Sequence, residues 1–220
     1  MSARIVEVRK GVLHKNDLLA AELRDGFGRS GVFVASFVSS PGSGKTELLR
    51  QTLHLLGDGY KVATLVGDLA TDNDAKRLEG AGGLVRQITT GTICHLDAAM
   101  VRSALDDWDL AALDFLFIEN VGNLVCPASY DLGEALRVVL TSVTEGEDKP
   151  LKYPTIFHSA DLALITKTDL ADAVGFDRAA ARANIAAVRP ELPVLEVSAR
   201  TGAGMQDWIE LLLRARSRAG

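Results

Sequence analysis

An apolar run, VFVASFV, breaks into SSPGSGKTELLRQTL, so that a strand turns through two glycines straight into a helix. A chain that does this sets up a phosphate site at the edge of a sheet, because successive backbone N–H groups and the helix N-terminus converge there. The residues stand at P-loop spacing. Gly42, Ser43 and Gly44 form the cradle, Lys45 reaches for the terminal phosphates, and the Thr46 hydroxyl is placed for Mg²⁺. Ser39 takes the position where the motif usually has its first glycine. Strand before and helix after supply the context the motif demands, and the expectation is a bound nucleoside triphosphate.

The rest of the chain fits that start. Further apolar runs, KVATLVGD, DFLFIENV, LALITK and VLEVS, alternate with amphipathic stretches such as ELLRQTLHLLGDG and LDAAMVRSALDDW. This alternation predicts an α/β fold, a doubly wound, mainly parallel sheet covered by helices on both faces. At 220 residues, 47% of them apolar, the chain is read as one domain spanning 1–220. A helical extension is predicted over about residues 1–30, broken by Gly26, Gly28 and Gly31 before the first central strand. EGEDKP, from Glu145 to Pro150, reads as a solvated and mobile connection. Near the end, Met205, Trp208, Ile209 and Leu212 recur on one helix face, a stripe that reads as core before partner surface.

Charge narrows the partners. A net charge of −5 without a long Lys/Arg block argues against nucleic acid and anionic membranes. No apolar run reaches the roughly 18 residues of a membrane span, and the opening MSARIVEVRKGVLHKND has no signal-peptide core, so a cytoplasmic location is expected.

Asp68 and Glu119 each end a predicted strand, which puts both carboxylates at the ligand-binding edge of such a sheet. They are candidates for Mg²⁺ and for orienting an attacking water; the alternative is an ordinary capping or solvated acid. TDNDAKRL adds Asp72 and Asp74, which the sequence does not rank. In LALITKTDL, Thr166, Lys167 and Asp169 follow another strand, and Ser198 and Ala199 in VSARTG follow the last. A carboxylate at Asp169 accepts from the ring N–H and the exocyclic amine of guanine, an arrangement adenine does not offer. The segment is similar to the N-K-x-D element of GTPases with Thr166 in place of Asn. Thr166 can still tie loops together by one hydrogen bond, over a shorter span. The bland reading of Asp169 is a helix cap.

GTICHLD sets Cys94 beside His95 at the start of a predicted helix, and Cys126 follows the strand that carries Glu119. Thiolate and imidazole suit Zn²⁺ and Ni²⁺, and a helix N-terminus favours the thiolate. Three donors leave a four-coordinate site one short, a gap that a second copy of the chain can fill. The other reading makes Cys94 a buried filler and His95 a surface residue. His14 and His54 read as helix-face residues, His158 as a loop histidine, and Lys152 as solvated or reaching across a dimer to phosphate.

Taken in order, SSPGSGKTELL, GDLATDNDAKRL, TGTICHLDA, FIENVGNLVCPASYDLGE, KPLKYP and SARTGAGMQDWI resemble the HypB family, GTPases of [NiFe]-hydrogenase maturation. The resemblance runs from KNDLLAAELR onward. It implies a slow P-loop GTPase of the dimerising SIMIBI class, with a Ni²⁺ or Zn²⁺ site at the dimer interface built by Cys94, His95 and Cys126. It further implies that the GTP state controls dimerisation and metal transfer to a hydrogenase large-subunit precursor, alongside other maturation proteins. The chain departs from the family in having no cysteine motif or histidine-rich stretch near its start, and in having Ala99 where many members have a histidine. It also lacks the C-P-H tripeptide of the sister family UreG, a urease-maturation GTPase. Rival readings are a nucleotide-gated chaperone that handles no metal, and a small-molecule P-loop kinase, for which no arginine-bearing lid is evident.

Overall fold

The computed structural model describes residues 3–70 and 73–219, with residues 3–10 as backbone only. Asp72 lies outside the described residues. The strands are β1 (Phe33–Ser39), β2 (Val62–Asp68), β3 (Leu84–Thr89), β4 (Phe115–Glu119), β5 (Leu136–Ser142), β6 (Leu162–Thr166) and β7 (Val194–Glu196). The helices are α1 (Ala3–Ser30), α2 (Lys45–Leu56), α3 (Asn73–Glu79), α4 (Ala98–Ala104), α5 (Lys149–Lys152), α6 (Pro154–Ser159), α7 (Ala171–Val174), α8 (Arg178–Val188) and α9 (Met205–Ala219).

The strands form one sheet in the order β3-β2-β4-β1-β5-β6-β7, every neighbouring pair parallel. From β1 the chain first winds toward β2 and β3, then crosses after β4 to build β5, β6 and β7 on the other side. The crevice this reversal opens at the C-terminal strand ends is where ligands of open α/β sheets bind. β3 and β5 go beyond the five strands expected from the sequence.

A parallel sheet covered on both sides buries both faces of its central strands, and β1 is buried throughout. Alternate residues Phe33, Ala35 and Phe37 pack with α2 and α9, where Phe37 meets Phe117 and Trp208 edge-on at 5.7 and 6.0 Å. Val34, Leu116 and Ile118 face the opposite layer, against Phe27 of α1 and Val101 of α4. Met205, Trp208, Ile209 and Leu212 are all buried, so the stripe is core. The Trp208 indole N–H donates to Thr52 at 2.9 Å, tying α9 to α2 directly behind the P-loop.

Three local expectations are corrected. α1 runs through Gly26 and Gly28 and ends only at Ser30, before Gly31 at φ 71°. An interior glycine weakens a helix by about 1 kcal/mol, and burial of the intervening Phe27 offsets that loss. EGEDKP is tied down, because the Glu145 carboxylate closes a capping box on Ser142 and Lys149 opens α5. His158 lies in the last turn of α6, exposed, and not in a loop.

Candidate nucleotide and metal site

The cradle follows β1. Gly42 and Gly44 have φ of 74° and 95°, left-handed values that a Cβ would strain, and Gly44 caps α2. Lys45 is only 7% exposed and its ammonium donates to the Ser39 hydroxyl at 2.8 Å. Ser39, the departure from the usual glycine, thus holds the lysine. The Ser43 hydroxyl donates to Glu145 Oε2 at 2.7 Å, and Glu145 Oε2 also accepts from the Ser142 N–H. Lys149 reaches Ser40 Oγ at 3.3 Å, whereas Lys152 pairs with Asp148 at 2.6 Å and is mostly solvent-exposed.

Opposite the cradle, Thr46 Oγ1 donates to Glu119 Oε1 at 2.8 Å, while Glu119 Oε2 is buried with no hydrogen-bond partner among the described residues. Asp68 ends β2 and lines the same cavity of about 460 Å³ with Lys45, Thr46, Asp74 and Glu119. Burial lifts the Glu119 carboxyl to about 7, with Lys45 and the Thr46 hydrogen bond opposing. Burial likewise lowers the Lys45 ammonium, against the pull of Glu119, Asp74, Glu145 and Asp68. An orphaned carboxylate oxygen beside a threonine hydroxyl and a second acid is an all-oxygen donor set, which fits Mg²⁺.

A second cavity of about 260 Å³ opens beyond β6, lined by Thr166, Lys167, Asp169 and Ala199 among others. Thr166 Oγ1 donates to the Ser43 carbonyl at 2.6 Å, so threonine does tie the strand end to the cradle. Lys167 sits at φ 57° and donates to the Gly42 carbonyl at 2.6 Å. The buried Ser198 hydroxyl donates to Asp169 Oδ1 at 2.6 Å, which orients the carboxylate and leaves Oδ2 free of that bond.

The cysteine and histidine residues come together from the loops after β3 and β4. Ligand atoms of Cys94, His95 and Cys126 all lie within 4.8 Å of one another, and the two sulfurs are 3.0 Å apart. α4 begins only after its cap Asp97, so Cys94 and His95 sit in the loop ahead of the helix. The predicted lowering of the thiol is corrected accordingly: contact with the Cys126 thiol, then burial, raises the Cys94 pKa. Burial lowers His95, which favours the neutral imidazole that metals bind. The His95 ring stacks on Tyr130 at 3.9 Å between centroids. Two thiols and one imidazole are a soft donor set suited to Zn²⁺ or Ni²⁺.

The nucleotide-binding domain model of CobW/HypB/UreG matches residues 33–196. Hydrogenase maturation factor HypB of Azotobacter vinelandii is 51% identical over 214 residues, covering 97% of this chain and 71% of the relative. The chain belongs to the HypB branch of this family. The HypB of Helicobacter pylori, solved in complex with nickel, superposes with a TM-score of 0.87 at 41% identity, over 93% of this chain and 96% of that one. The GDP complex of the signal recognition particle 54 kDa protein from Aeropyrum pernix K1 shares the fold alone, at 19% identity and a TM-score of 0.58, over 84% of this chain and 49% of that one. HypB membership and the SIMIBI fold expected from the sequence therefore stand. No described helix is long and apolar enough to cross a membrane.

Several residues at this site carry no sequence signal strong enough to single them out. Glu145 and Lys149 sit in a stretch whose charge reads as solvation, and Asn120, Asn123 and Tyr130 lie inside a family signature without a motif of their own. For Glu145 the usable signal was the S-x-x-E spacing from Ser142 to Glu145, a capping box.

Proposed function

We propose that this HypB-family chain is a slow GTPase that binds Ni²⁺ or Zn²⁺ and hands nickel to a hydrogenase large-subunit precursor, with the GTP state controlling dimerisation and release. The observation that carries the reading is the meeting of the Cys94, His95 and Cys126 donors within 4.8 Å of one another, on a chain that also holds the P-loop cavity of Lys45, Thr46 and Glu119. The nickel complex of the H. pylori relative supports it.

Gly42, Ser43, Gly44 and Lys45 hold the phosphates through backbone N–H groups and the buried ammonium. The terminal phosphate takes over the Lys45 ammonium, which the Ser39 hydroxyl holds at 2.8 Å. Thr46, Asp68 and Glu119 hold Mg²⁺, which when bound neutralises phosphate charge. Asp68 and Glu119 also orient the attacking water. Asp169, steadied by Ser198, reads guanine, with Thr166, Lys167 and Ala199 completing the base site. Nickel or zinc is cargo: Cys94 and Cys126 give up thiol protons and His95 offers its neutral ring. The whole chain acts as one GTPase domain in the cytoplasm, and other maturation proteins serve as partners.

Titration of Ni²⁺ into wild type and Cys94→Ala tests the reading. Loss of the tight site in the variant is expected. Equal stoichiometry and affinity would leave a nucleotide-gated protein without a role in metal delivery.

A further inference from the structure

Two amide side chains bridge the loops that carry the three cargo ligands. Cys94 and His95 follow β3, Cys126 follows β4, and the cysteines are 32 positions apart in the chain. Asn120 is buried next to Glu119, and its Oδ1 accepts from the N–H of Val121 at 2.9 Å and of Leu96 at 3.0 Å. Asn123 is half-buried. Its Oδ1 accepts from the Val125 N–H at 2.9 Å, closing a turn just before Cys126, and its Nδ2 donates to the Cys94 carbonyl at 3.1 Å.

We infer that Asn123 is a positioning residue for the metal centre, clamping the Cys94 backbone to the turn that delivers Cys126. The inference rests on the metal reading above. Two sulfurs on separate loops meet one ion only if the loops keep their spacing, and loops without such ties sample many spacings. Asn123 is suited to this because an asparagine oxygen closes the turn two residues on while its NH₂ remains available as a donor. Aspartate would close the same turn with no donor left. Asn120 secures the other side, so that His95 lies between two fixed backbone points, the Cys94 carbonyl and the Leu96 N–H, with its ring against Tyr130. Outer partners of this kind typically change metal affinity 10- to 100-fold when removed.

Co²⁺ added to the full chain is the probe, because thiolate charge-transfer bands report binding and d–d bands report ligand geometry. Asn123→Ala removes both hydrogen bonds. Asn123→Ser keeps an acceptor for the Val125 N–H but is too short to reach Cys94, and it decides the matter should the alanine variant fold poorly. Both variants are expected to bind Co²⁺ roughly 10-fold or more weakly than wild type with altered d–d bands, and Asn123→Ser to do so with a metal-free melting temperature within a few degrees of wild type. Wild-type affinity and spectrum in Asn123→Ser would overturn the positioning role while leaving the metal site in place. Absence of thiolate bands in wild type itself would overturn the metal reading and the inference with it.

Discussion

Glu119 is a carboxyl that the fold buries at a cost. Its carboxyl titrates near 7 in the fold against an ordinary value of 4.5, because burial disfavours the charged form. Between those values the folded chain binds the proton that the unfolded chain has released, so stability falls as pH rises from about 4.5 to 7 and is flat above. The loss from this group is on the order of 3 kcal/mol. Urea unfolding from pH 5 to 8 should show that slope in wild type, lose it in Glu119→Gln, and lose it again when Mg²⁺ and GDP hold the carboxylate charged. A wild-type curve that is flat or rises over this range would contradict the burial argument. Asp169 makes a second residue-scale case. Asparagine there presents a donor to the guanine ring N–H, so Asp169→Asn should weaken GTP and shift preference toward xanthosine triphosphate. Ser198→Ala should weaken GTP by about 10-fold through loss of the bond to a charged group. Competition binding of GTP, ATP and xanthosine triphosphate reads out both.

Among the elements, the loop after β4 has the most to do, since it leaves Glu119, passes the cradle at Gly122 and delivers Asn123 and Cys126. A Cβ on Gly122 would stand 2.9 Å from the Pro41 Cα, backbone against backbone. Gly122→Ala should therefore push this loop off the cradle and weaken nucleotide and metal binding together, each by about 10-fold, with little change in the melting temperature of the ligand-free chain. Isothermal titration with GDP and with Ni²⁺ checks this; loss of one affinity alone would show that the loop does not serve both. The same scale shows what a sequence can tell a reader. VFVASFV into PGSGKT is legible because glycine spacing and a buried run have one physical solution. β3 escaped notice because LVRQIT mixes Arg86 and Gln87 into a half-exposed edge strand. β5 escaped because a short buried run such as LRVVLTS has no period that separates strand from helix. Cys94, His95 and Cys126 were legible as metal-ligand residue types, but their meeting within 4.8 Å depends on two loops of different strands, which no local pattern encodes.

At the scale of the whole molecule, the parallel sheet puts every ligand-bearing loop at one edge and leaves apolar side chains there as well. Leu69 directly after β2, Ile93 after β3 and Val125 after β4 are exposed. The Cys94, His95 and Cys126 set supplies three donors where a tetrahedral ion takes four. A second copy facing this edge would bury the apolar side chains and complete the coordination, and because the phosphate cavity opens on the same edge, bound nucleotide would shape the contact. Sedimentation velocity at micromolar chain should then show a monomer without ligands and a dimer with Mg²⁺ and a non-hydrolysable GTP analogue, further tightened by Ni²⁺. Linkage makes the effect reciprocal, so the factor by which the analogue strengthens Ni²⁺ binding must equal the factor by which Ni²⁺ strengthens the analogue, about 5- to 150-fold for an ordinary coupling. A monomer under all of these conditions, with no coupling between the two affinities, would separate the two sites and leave the nucleotide without control of the cargo.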